Sequence, residues 1–120
     1  MKTIQGGSFD SPSETRTFAS GKIDILSFEG ASVAKATFEP GWRWSQSVKP
    51  VVGGDSCRQH HLGYAVSGRL KVVADDGTEM VAGPGDVYMV QPGHDAWVEG
   101  DEPFVGLEFQ GRTAETYAKE

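Results

Sequence analysis

The sequence predicts an all-β domain, and two observations lead to that prediction. The chain has 16 glycines and 6 prolines, together 22 of its 120 residues, or about 18% where about 12% is usual. Both residue types are disfavoured inside helices, whereas tight turns need them. Short apolar segments alternate with these turn residues at intervals of about 8–12 residues, which is typical of a β-sandwich or barrel. A length of 120 residues allows one such domain.

The segments follow one another in a clear order. Residues 1–21 are polar and small and are interpreted as an N-terminal arm, residues 22–111 as the barrel, and residues 112–120 as a short C-terminal tail. Asp76-Gly77 is a two-residue hairpin signal, and residues 49–55 are predicted to form a loop. The segment 86–91 is apolar at most positions, which favours a strand buried on both faces. Strands are predicted at residues 22–28, 32–39, 57–67, 69–74, 78–82, 86–91, 94–99 and 104–109.

The charge and the apolar content exclude several classes of partner. The formal net charge is -6, which disfavours nucleic acids and anionic membrane surfaces because both require a basic footprint. No apolar run is long enough to span a membrane, and the N-terminal residues lack the apolar centre of a signal peptide. The single cysteine cannot form an intramolecular disulfide. A cytoplasmic protein is therefore expected.

The segment from Gly54 to Val98 resembles the small single-domain cupins. The first cupin motif contains two histidines one residue apart, then a glutamate, then a closing glycine. Gly68 matches the closing glycine, which puts His61 at the glutamate position and Cys57 and Asp55 at the two histidine positions. The resemblance implies a jelly-roll barrel, also called a double-stranded β-helix.

The second cupin motif resembles residues 83–98. Pro92-Gly93 supplies its turn, Ala96 lies near the position of its usual histidine, and His94 lies two residues earlier. The resemblance implies a bound divalent transition metal, a small-molecule ligand, and a homodimer that pairs barrels through edge strands. It names a scaffold, whereas the function depends on the residues at the site.

Strand parity indicates which side chains face a barrel cavity. In a continuous strand, Asp55, Cys57, Gln59 and His61 share one face, which looks like the wall of a polar cavity. The opposite face carries His60 with an apolar set that looks like a core face. A β-bulge in this segment would exchange His60 for His61. The apolar set consists of Leu62, Tyr64 and Val66.

These positions form the candidate site. Cys57, His61 and His94 are the predicted metal ligands, His60 is the alternative to His61, and Gln59 is predicted to contact the substrate. A thiolate with imidazoles suits zinc, iron, nickel or copper better than magnesium or calcium, and manganese is added by the cupin resemblance. Asp55 follows Gly53-Gly54 and is interpreted as a turn residue.

Three functions are compatible with this pattern. The first is a metal-dependent oxygenase, isomerase or lyase acting on a small molecule. The second is a non-catalytic binding or sensor domain, which the departures from the usual ligands at His61 and Ala96 favour. The third is a dimerisation module with an empty barrel. Three tryptophans are expected either to line a ligand pocket or to fill the core, namely Trp42, Trp44 and Trp97.

Overall fold

The computed structural model describes residues 2–52, 54 and 60–109. Within these ranges the chain forms nine strands and two short helices, so the all-β prediction is confirmed. The strands are β1 (Glu14–Phe18), β2 (Gly21–Phe28), β3 (Ala31–Phe38), β4 (His61–Ser67), β5 (Arg69–Ala74), β6 (Glu79–Ala82), β7 (Val87–Val90), β8 (His94–Glu99) and β9 (Phe104–Glu108), and the helices are α1 (Trp44–Ser47) and α2 (Lys49–Val52).

The strands form two antiparallel sheets whose inner faces share one core. The larger sheet has the order β1-β2-β3-β9-β4-β7, and the smaller has the order β6-β5-β8. The chain changes sheet between β4 and β5, between β6 and β7, and again between β7, β8 and β9. This alternation places β4, β7 and β9 side by side although they are distant in sequence.

Glycine permits the sharp change of sheet after β4. Gly68 has a φ of 75°, a conformation that side chains with a Cβ rarely adopt. A Cβ at this position would also collide with the backbone of Pro103 and Phe104. The turn predicted here is therefore confirmed.

The predicted hairpin at Asp76-Gly77 is also confirmed, because it joins β5 to β6. The Asp76 carboxylate accepts a hydrogen bond from the Thr78 backbone N–H at 2.9 Å. Hydrogen bonds from Thr78 lower the pKa of this exposed carboxyl group.

Two segments differ from the sequence prediction. Residues 14–18 of the N-terminal segment form β1, which pairs with β2 at the edge of the larger sheet. Residues 49–52, predicted as a loop, form α2. Pro50 is compatible with this helix because proline is tolerated in a first turn, where its missing N–H has no helical partner. No helix in the described ranges is long and apolar enough to cross a membrane.

The orientation of β4 and β7 corrects two further predictions. The apolar face of β4 was expected to pack in the core, but Tyr64 and Val66 are 39% and 45% exposed, whereas Ala65 on the other face is buried. Strand β7 was expected to be buried on both faces, but Val87 and Met89 are 71% and 62% exposed. Both errors have one cause: the described chain covers only the inner face of this sheet.

Candidate functional site

A cavity of about 40 Å³ lies between the two sheets. Its walls are mostly aliphatic and aromatic, and they include Phe38, Leu70 and Val72. This volume accommodates one or a few waters or a group of similar size. Four polar side chains reach the same space, and they are His61, Tyr88, His94 and Glu108.

Three of these polar side chains belong to neighbouring strands of the larger sheet. Gly63 on β4 pairs with Tyr88 on β7 at one side and with Glu108 on β9 at the other. The Tyr88 hydroxyl donates a hydrogen bond to Glu108 Oε2 at 2.6 Å. A Cβ on Gly63 would lie less than 3 Å from the terminal atoms of both residues. The missing side chain of Gly63 therefore leaves room for the Tyr88–Glu108 hydrogen bond.

His61 is held by the second oxygen of the same carboxylate. Its Nδ1 lies 2.5 Å from Glu108 Oε1, and Glu108 is only 4% exposed. A carboxylate accepts hydrogen bonds, so Nδ1 carries the proton, and in the neutral ring the lone pair is on Nε2. The buried carboxylate is thus satisfied by two donors, as a buried charge requires.

His94 faces this group from the smaller sheet, at the start of β8. Its Nδ1 lies 2.9 Å from the backbone carbonyl of Gln91. Because a carbonyl only accepts, Nδ1 of His94 also carries the proton and the neutral ring has its lone pair on Nε2. The rings of His61 and His94 approach edge to face, with centroids 5.0 Å apart. Two imidazoles of the same tautomer therefore meet between the sheets.

The tryptophans divide between the cavity and the surface. Trp42 and Trp44 are buried and line the cavity, and Trp42 stacks on Phe38 with ring centroids 3.9 Å apart. The Nε1 atom of Trp42 is buried and has no hydrogen-bond partner among the described residues. Trp97 instead contacts the Arg43 guanidinium, 4.4 Å from the ring centroid.

We compared the chain with known protein families and solved structures to identify the fold that carries this site. No family model matches the chain, and no curated protein matches it. A sugar phosphate isomerase of the cupin superfamily from Silicibacter pomeroyi matches in structure with a TM-score of 0.60 and 21% identity, covering 88% of this chain and 74% of its own. This chain has the cupin fold.

Two further solved structures agree. A protein with a double-stranded β-helix domain from Klebsiella pneumoniae has a TM-score of 0.55 and 19% identity, covering 91% of this chain and 89% of its own. A protein of unknown function from Rhizobium leguminosarum has a TM-score of 0.59 and 13% identity, covering 91% and 97%. The predicted jelly-roll barrel is confirmed, and these low identities establish the fold alone.

The cupin barrel brings two of the predicted site residues together. His61 and His94 line the cavity, whereas His60 precedes β4 and is not among the lining residues. Cys57 and Gln59 lie outside the described residues, as does Asp55, so their assignments stay predictions.

Sequence reasoning missed three residues that shape the polar end of the cavity, namely Gly63, Tyr88 and Glu108. A signal for the last of them exists in β9, whose burial alternates so that Phe104, Gly106 and Glu108 are buried. An acidic residue on the buried parity of an apolar strand needs a partner. That pattern alone would have marked Glu108 as a candidate.

The described residues of the cavity supply some, but not all, of the ligands that a metal ion needs. In the part of the chain that the structure describes, no group of three or more histidine, cysteine, aspartate or glutamate residues could hold a metal ion. His61 and His94 nevertheless have the tautomer that a metal ligand requires. Metal-binding histidines usually donate their other N–H to a carboxylate or a backbone carbonyl, and Glu108 and Gln91 fill these roles. Two imidazoles therefore fit a metal, and a third ligand would come from outside the described residues.

Proposed function

We propose that this cupin binds a divalent transition metal and a small molecule in its cavity, with His61, His94 and Cys57 as the metal ligands. The observation that carries the proposal is the pairing of the two histidines. Each ring has its Nδ1 proton held by its own partner, and their centroids lie 5.0 Å apart. Two imidazoles and a thiolate suit zinc, iron, nickel or copper, and manganese is included in the test.

When bound, such a metal supplies a Lewis acid that polarises a substrate oxygen or holds a reactant in place. The protein residues have separate tasks. Glu108 fixes the ring of His61, Tyr88 holds the second oxygen of Glu108, and the Gln91 carbonyl fixes His94. The apolar walls exclude water and so strengthen each of these polar contacts.

The reaction class that this arrangement supports is that of an oxygenase, isomerase or lyase of small molecules. The structural neighbour that is a sugar phosphate isomerase suggests one such reaction. However, the described lining of the cavity contains no lysine or arginine, the side chains that usually bind phosphate. We therefore carry over the small-molecule isomerase class from that neighbour but not the phosphorylated substrate.

The proposal is tested by elemental analysis of the purified protein and by thermal unfolding with added Zn, Fe, Mn, Ni or Cu. We expect about one metal ion per chain, and a stabilisation of about 2.7 kcal/mol at a free metal concentration of a hundred times Kd. His61→Ala and His94→Ala should each weaken metal binding by more than about tenfold. His60→Ala is the matched control and should leave it unchanged.

A second candidate function is a metal-free binding domain, and two observations favour it. Ala96 lines the cavity near the position where the cupin resemblance implies a histidine, and the buried Nε1 of Trp42 offers a donor that a metal would not use. Absence of bound metal, together with no thermal stabilisation by any of the five ions, would reject the first proposal in favour of this one.

We also propose that the protein forms a homodimer. The support is the outer face of β4 and β7, which exposes Tyr64, Val66, Val87 and Met89 on one side of the larger sheet. Exposed apolar side chains grouped in this way mark interaction sites. Among the described strands, β7 lies at the edge of the larger sheet, which is where a strand of another chain can pair.

A further inference from the structure

The cavity between the sheets adjoins a second, larger space. This groove has a volume of about 480 Å³, and its described lining includes Met80 on β6 and Pro92 in the turn before β8. Val72 on β5 and Val90 on β7 line both the groove and the cavity. The two spaces therefore meet at these two valines, one from each sheet.

The two spaces differ in the size of molecule that they admit. The cavity, at about 40 Å³, has room for only a few non-hydrogen atoms, which is fewer than an ordinary metabolite contains. Sites for small molecules usually have about 300–1,000 Å³, and the groove lies in that range. A molecule of ordinary size that reaches the cavity therefore leaves most of its atoms in the groove.

The walls indicate which part of such a molecule lies in each space. In the cavity wall, Trp42 is 2% exposed, and its Nε1 has no hydrogen-bond partner among the described residues. A buried donor without an acceptor is unfavourable, and an oxygen atom of a bound molecule would satisfy it. The groove wall includes Met80, Val90 and Pro92, whose side chains suit an apolar chain.

Two carboxylates of the groove already have partners of their own. Asp76 accepts a hydrogen bond from the Thr78 backbone N–H at 2.9 Å, and Glu79 accepts one from Lys71 Nζ at 2.9 Å. Both acidic residues are exposed, so they keep their hydration while a molecule contacts the apolar wall. These two groups therefore do not prevent an apolar chain from lying in the groove.

We infer that the protein binds an elongated small molecule with a carbonyl oxygen near one end, as ketones, esters and amides have. The oxygen end enters the cavity and accepts a hydrogen bond from Trp42 Nε1, and the apolar body lies in the groove. Val72 and Val90 form the constriction between the two parts. This inference rests on the proposed small-molecule binding and does not depend on the metal.

The ketones 2-butanone and 2-hexanone test this inference because they share the methyl ketone end and differ by two CH2 groups. The readouts are the indole N–H signal of Trp42 and the ε-methyl signal of Met80 in NMR spectra of the purified protein. Both ketones should move the Trp42 indole proton downfield, as a new hydrogen bond does, and only 2-hexanone should also move the Met80 signal. A fully buried CH2 group contributes about fourfold in affinity, so 2-hexanone should bind at least about fourfold more tightly.

Conservative variants assign these signals. Trp42→Phe assigns the indole signal, and Trp44→Phe with Trp97→Phe assign it by elimination if the first variant does not fold. Met80→Leu assigns the methyl signal. Trp97 is not among the residues that line either space, so its signal is the internal control and should not move. A second titration after EDTA treatment removes any contribution of a bound metal.

Val90→Phe tests the constriction, because the larger ring would fill the junction of the two spaces. It should weaken the binding of 2-hexanone by more than about tenfold. Val87→Phe is the matched control, because Val87 is exposed on the outer face of the same strand and is not among the lining residues of either space. The control should bind 2-hexanone as the wild-type protein does.

Three results would overturn the inference: no response of the Trp42 signal, equal affinity for the two ketones, or wild-type binding of 2-hexanone by Val90→Phe. A Trp42 response that does not depend on chain length would leave small-molecule binding in the cavity intact and reject the groove. The metal proposal is judged separately, by elemental analysis and by the His61→Ala and His94→Ala variants.

Discussion

The two faces of the sheet formed by β4, β7 and β9 each depart from an ordinary half-buried sheet: the buried face holds a polar group within an apolar core, and the outer face exposes apolar side chains. On the inner face, His61, Tyr88 and Glu108 form a hydrogen-bonded group around Gly63. On the outer face, β4 and β7 expose apolar side chains, among them Tyr64, Val87 and Met89. An ordinary sheet of this kind buries its apolar face and exposes its polar one.

These two departures indicate where each proposed function lies. Buried polar groups cost free energy unless every one is paired. On the inner face, two short hydrogen bonds to the Glu108 carboxylate offset that cost. Exposed apolar side chains are grouped on the other side of the same strands, where a partner surface would cover them. The inner face therefore holds the proposed metal site, and the outer face holds the proposed contact between two copies.

Gly63→Ala should disrupt the hydrogen-bonded group on the inner face and cause the largest loss of stability among these predictions. The new Cβ would lie within 3 Å of the terminal atoms of Tyr88 and Glu108, so it forces apart two hydrogen-bonded groups in a packed interior. We expect a loss of about 3 kcal/mol in the free energy of unfolding in urea, from overpacking and a weakened hydrogen bond. Gly83→Ala is the control, because its nearest atoms lie 3.7 and 3.8 Å away, and it should change stability by less than about 0.5 kcal/mol. Equal small effects of both substitutions would contradict the proposed role of Gly63.

Tyr88→Phe tests the inner face with a smaller change, the loss of a single hydroxyl group. It removes the O–H that donates to Glu108 Oε2 at 2.6 Å and leaves the buried carboxylate with one donor fewer. The expected loss of unfolding free energy is about 2 kcal/mol, measured by the same urea titration. Tyr64→Phe removes a hydroxyl from the outer face of the adjacent strand, where Tyr64 is 39% exposed, and should cost less than about 0.5 kcal/mol. If the two variants lose the same stability, the inner hydroxyl has no special role.

The sequence predicts most of the fold because the turn residues are local signals. Gly68 and Gly77 mark the ends of strands without any knowledge of tertiary contacts, and both turns are where the pattern predicts them. Parity within one strand likewise predicts that His61 faces a cavity. These inferences need only the alternation of side chains along a strand.

The rest of the site depends on contacts that no local pattern contains. Gly63 matters because β7 and β9 lie on either side of β4, and β9 is about 40 residues away along the chain. An argument from strand parity predicts that the apolar residues Leu62, Tyr64 and Val66 are buried. That prediction is misleading here because none of the described elements covers the outer face. The rule that apolar side chains point inward therefore fails on the described part of this sheet, and the proposed contact between two copies would explain why.

The outer face yields the prediction with the smallest effect on the folded monomer. Met89→Lys places a charge at a position that is 62% exposed, so the monomer should lose less than about 0.5 kcal/mol. A lysine inside an apolar interface is unfavourable, because its charge would be desolvated without a partner. We therefore expect wild-type protein to sediment as a dimer and Met89→Lys to sediment as a monomer at the same concentration. Val81→Lys, at a 41% exposed position on β6 of the other sheet, is the matched control and should remain dimeric. A wild-type monomer, or a dimer that Val81→Lys and not Met89→Lys dissociates, would show that the outer face of the larger sheet is not the contact.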